Sequence, residues 1–399
     1  MLELNAYRDL MARCTHCGLC QATCPVYLQD LLQTHVARAR MDLIRASLVE
    51  GTVPVTGRLR EVVDRCLLCT NCTQTCAAGV PVHEIVIAAR YRLYGEKRAG
   101  AVRGLLLRGF MRRRGPGPLL GKAGFLAGRL GWKPDGLAVP ASRALLGRTP
   151  DRVRPEGKAR GRVAYFVGCA TNTFYPDTAL AVLEVLTRNG FEVLLPRGLA
   201  CCGMPALAEG DLASVRALVR RNVAVLAGED VDACVTDCTS CGMMFRDKAL
   251  KVLSDDDPCR ADARKVAERF WEVTDWLDQA GLSADPRALN LPYTYHVPCH
   301  RGWKPGLKDA PRRLLDRVPG LERVEMGDPE GCCGAGGSFF LGHRGLATAI
   351  RSRKLEDIRG TDVRTVITQC PACRSFLSKP LNGCEILHPV ALLARAYAT

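Results

Sequence analysis

Of the 399 residues, 21 are cysteine, and 18 of these fall into groups whose spacing suits metal binding. Cys14, Cys17, Cys20 and Cys24 are separated by two, two and three residues, and Cys66, Cys69, Cys72 and Cys76 repeat that spacing. Ten more form two matching sets: Cys169, Cys201, Cys202, Cys238 and Cys241, then Cys299, Cys332, Cys333, Cys370 and Cys373. Thiolates are soft donors that select zinc, copper(I) or iron–sulfur clusters. They stay available as ligands only in a reducing compartment. The first residues, Met1, Leu2, Glu3, Leu4 and Asn5, have neither the basic nor the apolar region of a secretory leader. A cytoplasmic chain with free thiols is therefore expected, rather than a disulfide framework.

The two N-terminal runs resemble the bacterial two-cluster ferredoxin pattern C-x2-C-x2-C-x3-C-P, with Pro25 after the first run and Ala77 in place of the second proline. In that pattern three close cysteines hold one cubane and the fourth reaches across to the other. The expected ligand sets are thus Cys14, Cys17, Cys20 and Cys76 for one [4Fe-4S] cubane, and Cys66, Cys69, Cys72 and Cys24 for its neighbour. Zinc sites also use paired C-x-x-C units. They do not need a third and fourth cysteine in both runs. Ala78-Gly79-Val80-Pro81 supplies turn residues after Cys76, and His16, between two ligands, reads as a surface residue or a neighbour supporting the ligands rather than as a ligand itself.

What must position the other ten cysteines is a repeated strand-and-helix unit. Apolar runs at 163–167 and 293–297 lead to Cys169 and Cys299. Runs at 191–195 and 321–326 lead to Cys201-Cys202-Gly203 and Cys332-Cys333-Gly334. Short runs at 233–236 and 363–368 lead to Cys238/Cys241 and Cys370/Cys373. The gaps agree to one residue: 31 against 32 before the pair, and 35 against 36 after it. Such self-similarity is the mark of a duplicated unit, and alternating strands and helices argue for parallel α/β sheets. Each cysteine group follows a strand, at the carboxyl edge where open α/β sheets bind ligands. Five thiols per unit exceed the four that zinc or a cubane needs. Cys234, Cys259 and Cys384 stand outside the pattern and read as buried apolar thiols. In the N-terminal block, Ile85, Ala88, Ala89 and Leu93 have helical spacing over 82–94.

The duplicated C-x31/32-C-C-G-x34/35-C-x-x-C pattern resembles the CCG, or cysteine-rich, domains of the heterodisulfide reductase catalytic subunit. Similar pairs occur in the iron–sulfur subunits of glycolate oxidase, lactate dehydrogenase and anaerobic glycerol-3-phosphate dehydrogenase. The resemblance implies one or two non-cubane [4Fe-4S] clusters, held by the five cysteines of each repeat. It implies electron transfer from an FAD-containing dehydrogenase subunit toward a quinone-linked membrane subunit or another carrier. The alternative it raises is disulfide reduction at paired non-cubane clusters. The expected architecture is multidomain, α+β and α/β. A mainly helical two-cluster ferredoxin-type domain over 1–95 comes first, then a basic Gly/Pro/Arg-rich connector over 96–160. CCG domains over 161–285 and 286–399 follow.

Composition fits an ordinary globular chain, with 47% hydrophobic and 24% charged residues. No run approaches the roughly 18 apolar residues of a membrane span. Nearly all of the net charge of +15 lies in 97–162, which holds 17 Lys or Arg against Asp135, Asp151 and Glu156. Leu105-Leu106-Leu107, Phe110, Leu119-Leu120, Phe125-Leu126 and Trp132 interleave with those cations. The expectation is peripheral contact with a partner or the inner membrane face. No nucleic-acid motif accompanies the charge. Gly334, Gly336 and Gly337 lack the spacing of a dinucleotide loop, and Gly117 to Lys122 lacks that of a phosphate loop. FAD is accordingly expected on a partner only.

Overall fold

Short runs rich in Val, Tyr and Phe alternate with helices from residue 152 onward, and they assemble into two separate sheets. The computed structural model describes residues 3–95, 101–116, 118–132, 135–142, 144–301, 306–337 and 339–398. Gly117 and the side chains of 101–103 and 118–120, among them Leu119 and Leu120, lie outside that description.

The first sheet contains β1 (Arg152–Val153), β2 (Gly161–Tyr165), β3 (Phe191–Leu194), β4 (Ala233–Thr236) and β5 (Phe270–Glu272), in the order β1-β3-β2-β4-β5. All pairings are parallel except that of β1 at the edge. The second sheet contains β6 (Leu291–Tyr295), β7 (Leu321–Arg323), β8 (Thr365–Ile367) and β9 (Glu385–Leu387), all parallel, in the order β7-β6-β8-β9. The equivalent strands β2, β3, β4 and β6, β7, β8 take equivalent places. β3 and β4 are buried throughout, as parallel strands covered by helices on both faces must be. The sequence pattern places β2 and β6 about two residues late. The difference arises because 166–167 and 296–297 are buried residues that lie beyond the ends of the strands.

The N-terminal block is a set of short helices around one longer one, Val82–Tyr94, whose bounds match the periodicity. That helix is buried on all sides from Val82 to Arg90, not on one stripe, because it is clasped between the block and the first repeat. Arg90 closes this junction. Its guanidinium donates to the carbonyls of Val63, Asp64 and Cys66 on one side and of Ala208 on the other. A second apolar core joins Cys24, Val26, Leu67 and Cys69 to Met326, Ala335, Phe339 and Phe376 of the second repeat. The final helix, Pro389–Ala398, packs on Pro176–Arg188 of the first repeat.

The basic segment is anchored rather than free. It contains the helices Ala101–Arg113 and Pro118–Arg129, and the first is held by an Arg108–Asp211 pair at 3.0 Å and by the Met111 carbonyl, which accepts from the Cys201 amide. Asp135 pairs with Arg351 at 2.7 Å. Leu105, Leu106, Leu126 and Trp132 remain more than half exposed. Among the described residues, no helix is long and apolar enough to cross a membrane.

Candidate metal centre

The strands end where the cysteines begin. Cys169 opens the helix that follows β2, Cys238 caps the one after β4, and Cys370 caps the one after β8. In each Cys-Cys-Gly turn the glycine adopts a left-handed backbone, φ +94° at Gly203 and +86° at Gly334. That conformation costs a side chain roughly 1–2 kcal/mol. At Gly334 a Cβ would also come within 2.4 Å of the Ala347 carbonyl oxygen. Gly336 and Gly337 are left-handed as well and continue the turn.

All ten repeat cysteines line a single cavity of about 200 Å³, and Cys69 of the N-terminal block joins them. The sequence suggests one site per repeat, and the fold turns the two sites toward each other. A smaller cavity is lined by Cys24, Cys66, Cys69 and Cys72, so Cys69 lies between the two. Thr70 Oγ1 and Gln74 Nε2 both donate to the carbonyl of Cys299, tying this loop to the second repeat. Near Cys14, Cys17, Cys20 and Cys76 the chain is more open. Cys17 is exposed, the other three are half-buried, and Thr23 meets Thr75 at 3.5 Å where the two runs cross. Gly79 bonds back to the Cys76 carbonyl, so the turn forms without the second proline. His16 is exposed, 3.6 Å from Asp42. Cys234, Cys259 and Cys384 line neither cavity.

Every described cysteine is unpaired. Within the shared cavity their chemistry calls for a cation. Burial pushes the thiols of Cys299 and Cys69 well up, and pushes Cys332 up to about 12. Hydrogen bonding to Cys333 does the same to Cys373. Each thiolate also repels the others in this dry site. Ten thiols crowded this way ionise together around a multivalent metal centre, and the donor set fits iron–sulfur clusters.

Several partners at this site carry no signal in the cysteine pattern. Arg114 looks like one more cation in a basic run, yet it is buried beside Cys169, Cys201 and Cys241. Its guanidinium donates to the Val167 carbonyl and lies 5.1 Å over the Phe166 ring. Lys354 is buried near Cys332 and His296, and bonds Asp357 at 2.8 Å. The cysteines of each repeat thus have a buried cation close by. Lys248, at the end of a π-helical segment, donates to His83 Nε2 at 2.7 Å and to Glu84 at 2.6 Å. Since an ammonium can only donate, His83 carries its proton on Nδ1, toward Thr73 Oγ1 at 3.0 Å. Burial, reinforced by Lys248, brings His83 down to about 3. The repeats also match in detail: Tyr165 donates to Asp237 at 2.8 Å, just as Tyr295 donates to Gln369 at 2.6 Å, each next to its C-x-x-C.

Comparison with known proteins agrees with this layout. Residues 163–246 and 293–378 each match the Cysteine-rich domain family, and residues 10–80 match the 4Fe-4S dicluster domain family. The chain is 34% identical to lactate utilization protein A of Geobacillus kaustophilus, over 45% of this chain and 74% of that protein. It is 27% identical to the glycolate oxidase iron-sulfur subunit of Escherichia coli, over 93% and 90%. It is 34% identical to one of the subunits of the fumarate reductase (CoM/CoB) of Methanothermobacter marburgensis, over 59% of this chain and 47% of that one. The chain thus spans about half the length of that relative and 42% of a related iron-sulfur protein from Methanococcus maripaludis. A crystal structure of a hypothetical protein from Helicobacter pylori shares the fold, with a TM-score of 0.52 at 8% identity, over 90% of this chain and 67% of that one.

Proposed function

Because the chain belongs to the cysteine-rich-domain iron–sulfur protein family that includes lactate utilization protein A, we propose that it is the electron-transfer subunit of a flavin-linked oxidoreductase. Its [4Fe-4S] clusters carry electrons from an FAD-bearing partner that oxidises a 2-hydroxy acid such as glycolate or lactate, toward a quinone or another carrier. The observation that carries this reading is the shared cavity, in which ten thiols meet the ferredoxin-type loop at Cys69. Sites in such a series let charge pass from one centre to the next, at potentials set by charge, hydrogen bonds and exposure. The cysteine sets given by the spacing are the proposed ligands, four for each cubane and five for each repeat.

Docking belongs to the basic segment. Leu105, Leu106, Leu126 and Trp132 project apolar surface beside exposed Arg112, Arg113 and Arg129. Such a face suits an anionic leaflet or an acidic partner surface, where each cation contributes about 1 kcal/mol.

One observation favours a second reading. Because the two five-cysteine sites share one cavity, a disulfide held there could take two electrons and two protons and leave as two thiols. Anaerobic purification of the tagged full-length chain separates the two. Recovery with an FAD-containing subunit, and reoxidation of its reduced clusters by a quinone analogue, is the expected result. Turnover of a thiol disulfide by the isolated chain at rates exceeding quinone reduction contradicts the electron-relay reading.

A further inference from the structure

The two repeats are alike in cysteines but not in what stands three residues before the first of them. That position is Phe166 in the first repeat and His296 in the second. Resting on the reading of the second repeat as a cluster site, we propose that His296 supplies an imidazole nitrogen to the iron of that cluster, which makes the two centres chemically different.

The geometry places the donor where it is needed. A ring nitrogen of His296 and the sulfurs of Cys333 and Cys373 all lie within 4.8 Å of one another, and all three residues are buried. Neither ring nitrogen has a hydrogen-bond partner among the described residues. A buried polar atom left unpaired is costly and rare, and it calls for a missing partner. The Pro329 carbonyl is close enough to favour a protonated ring nitrogen without reaching hydrogen-bond geometry. Metal-bound imidazoles commonly direct their second N–H at such a carbonyl.

The first repeat has nothing comparable. Phe166 packs edge-on against Phe245 at 4.9 Å and near Phe270 at 6.2 Å, and its ring offers no donor atom to a metal. A neutral imidazole fills a coordination position without adding to the repulsion among five thiolates. Two other histidines line the same cavity and have partners of their own. His300 Nδ1 meets Ser240 Oγ at 2.9 Å, and His83 is held between Lys248 and Thr73. The unpaired imidazole is therefore the one free to ligate.

The test uses the full-length chain, purified anaerobically with natural or ¹⁵N-labelled histidine, poised in its paramagnetic states, with iron counted on the same sample. We expect about sixteen irons per chain and a histidine-nitrogen coupling in pulsed EPR that changes with the label. That coupling should disappear in His296→Phe, the first repeat's own residue, and persist in His300→Phe and His83→Gln. About sixteen irons with no histidine coupling in the wild type, or a coupling that survives His296→Phe, overturns the proposal and leaves the cluster reading intact. About eight irons would instead sink the cluster reading, and this proposal with it. The wild-type spectrum decides even if the Phe variant folds poorly.

Discussion

A thiol buried among other thiols is a poor anion, and the residues around these cysteines answer that problem one by one. Arg114 and Lys354 bring positive charge to the two repeats, and neither was legible in the sequence. Arg114 sits in a run of arginines whose other members face solvent, so only the fold distinguishes it. The cysteines themselves were legible because spacing within one loop is a local property. Their neighbours from other segments were not, because contacts across long separations, such as the 165 residues between His83 and Lys248, leave no such trace. At the His83–Glu84–Lys248 cluster the consequence is a pH dependence. His83 stays neutral in the fold down to about 3, whereas the unfolded ring takes a proton below about 6.5. Burial alone would raise Glu84, but Lys248, His83 and Lys251 outweigh it and hold it near 2. Both groups therefore withdraw stability as the pH falls: His83 from about 6.5 toward 3, Glu84 from about 4.5 toward 2. One proton corresponds to about 1.4 kcal/mol per pH unit. Urea denaturation between pH 5 and 6.5 should show His83→Gln losing stability more shallowly than wild type, by about 1 kcal/mol per unit at most. Parallel slopes would mean that His83 already titrates normally in the folded chain.

Among the elements, the Cys-Cys-Gly turns show how far a motif can be read. Sequence alone assigns Gly203 and Gly334 the same job, and both adopt the left-handed backbone that job requires. Their surroundings differ. At Gly203 the nearest atoms to an added Cβ are 3.6 Å away, in ordinary contact, whereas at Gly334 the Ala347 carbonyl is at 2.4 Å. Gly203→Ala should therefore cost about 1 kcal/mol from backbone conformation alone. Gly334→Ala should cost about 3 kcal/mol, because overpacking against a helix adds to it. Denaturant midpoints of the two variants check this, and equal losses would contradict it. Strands β2, β3, β4, β6, β7 and β8 follow from apolar runs in the sequence. β1, β5 and β9 do not, because these short strands lead into none of the repeated cysteine groups that mark the others. Helix Val82–Tyr94 was legible in extent, but its burial on every side depends on what encloses it.

Over the whole molecule, the N-terminal block sits against both repeats, so the proposed clusters form one connected array rather than three separate sites. The duplication was readable from spacing, whereas the meeting of its two halves around one cavity was not. That meeting depends on packing such as the final helix against Pro176–Arg188. The basic segment has a mixed character that composition conceals: Met111 and Arg114 belong to the interior, while Leu105, Leu106 and Trp132 face outward. Replacing those three by Gln should leave stability within about 0.5 kcal/mol, as surface changes usually do. It should weaken sedimentation with anionic vesicles at least tenfold, since burying each such side chain contributes about 1.5–3 kcal/mol. Unchanged sedimentation would remove this face from the docking account. The central claim is that these thiols hold iron, and the most direct measurement is iron and acid-labile sulfide per chain in anaerobically purified protein, with EPR of the reduced form. The account predicts about sixteen irons with matching sulfide and more than one cluster signal. Colourless, iron-poor protein, or stoichiometric zinc in place of iron, would contradict it.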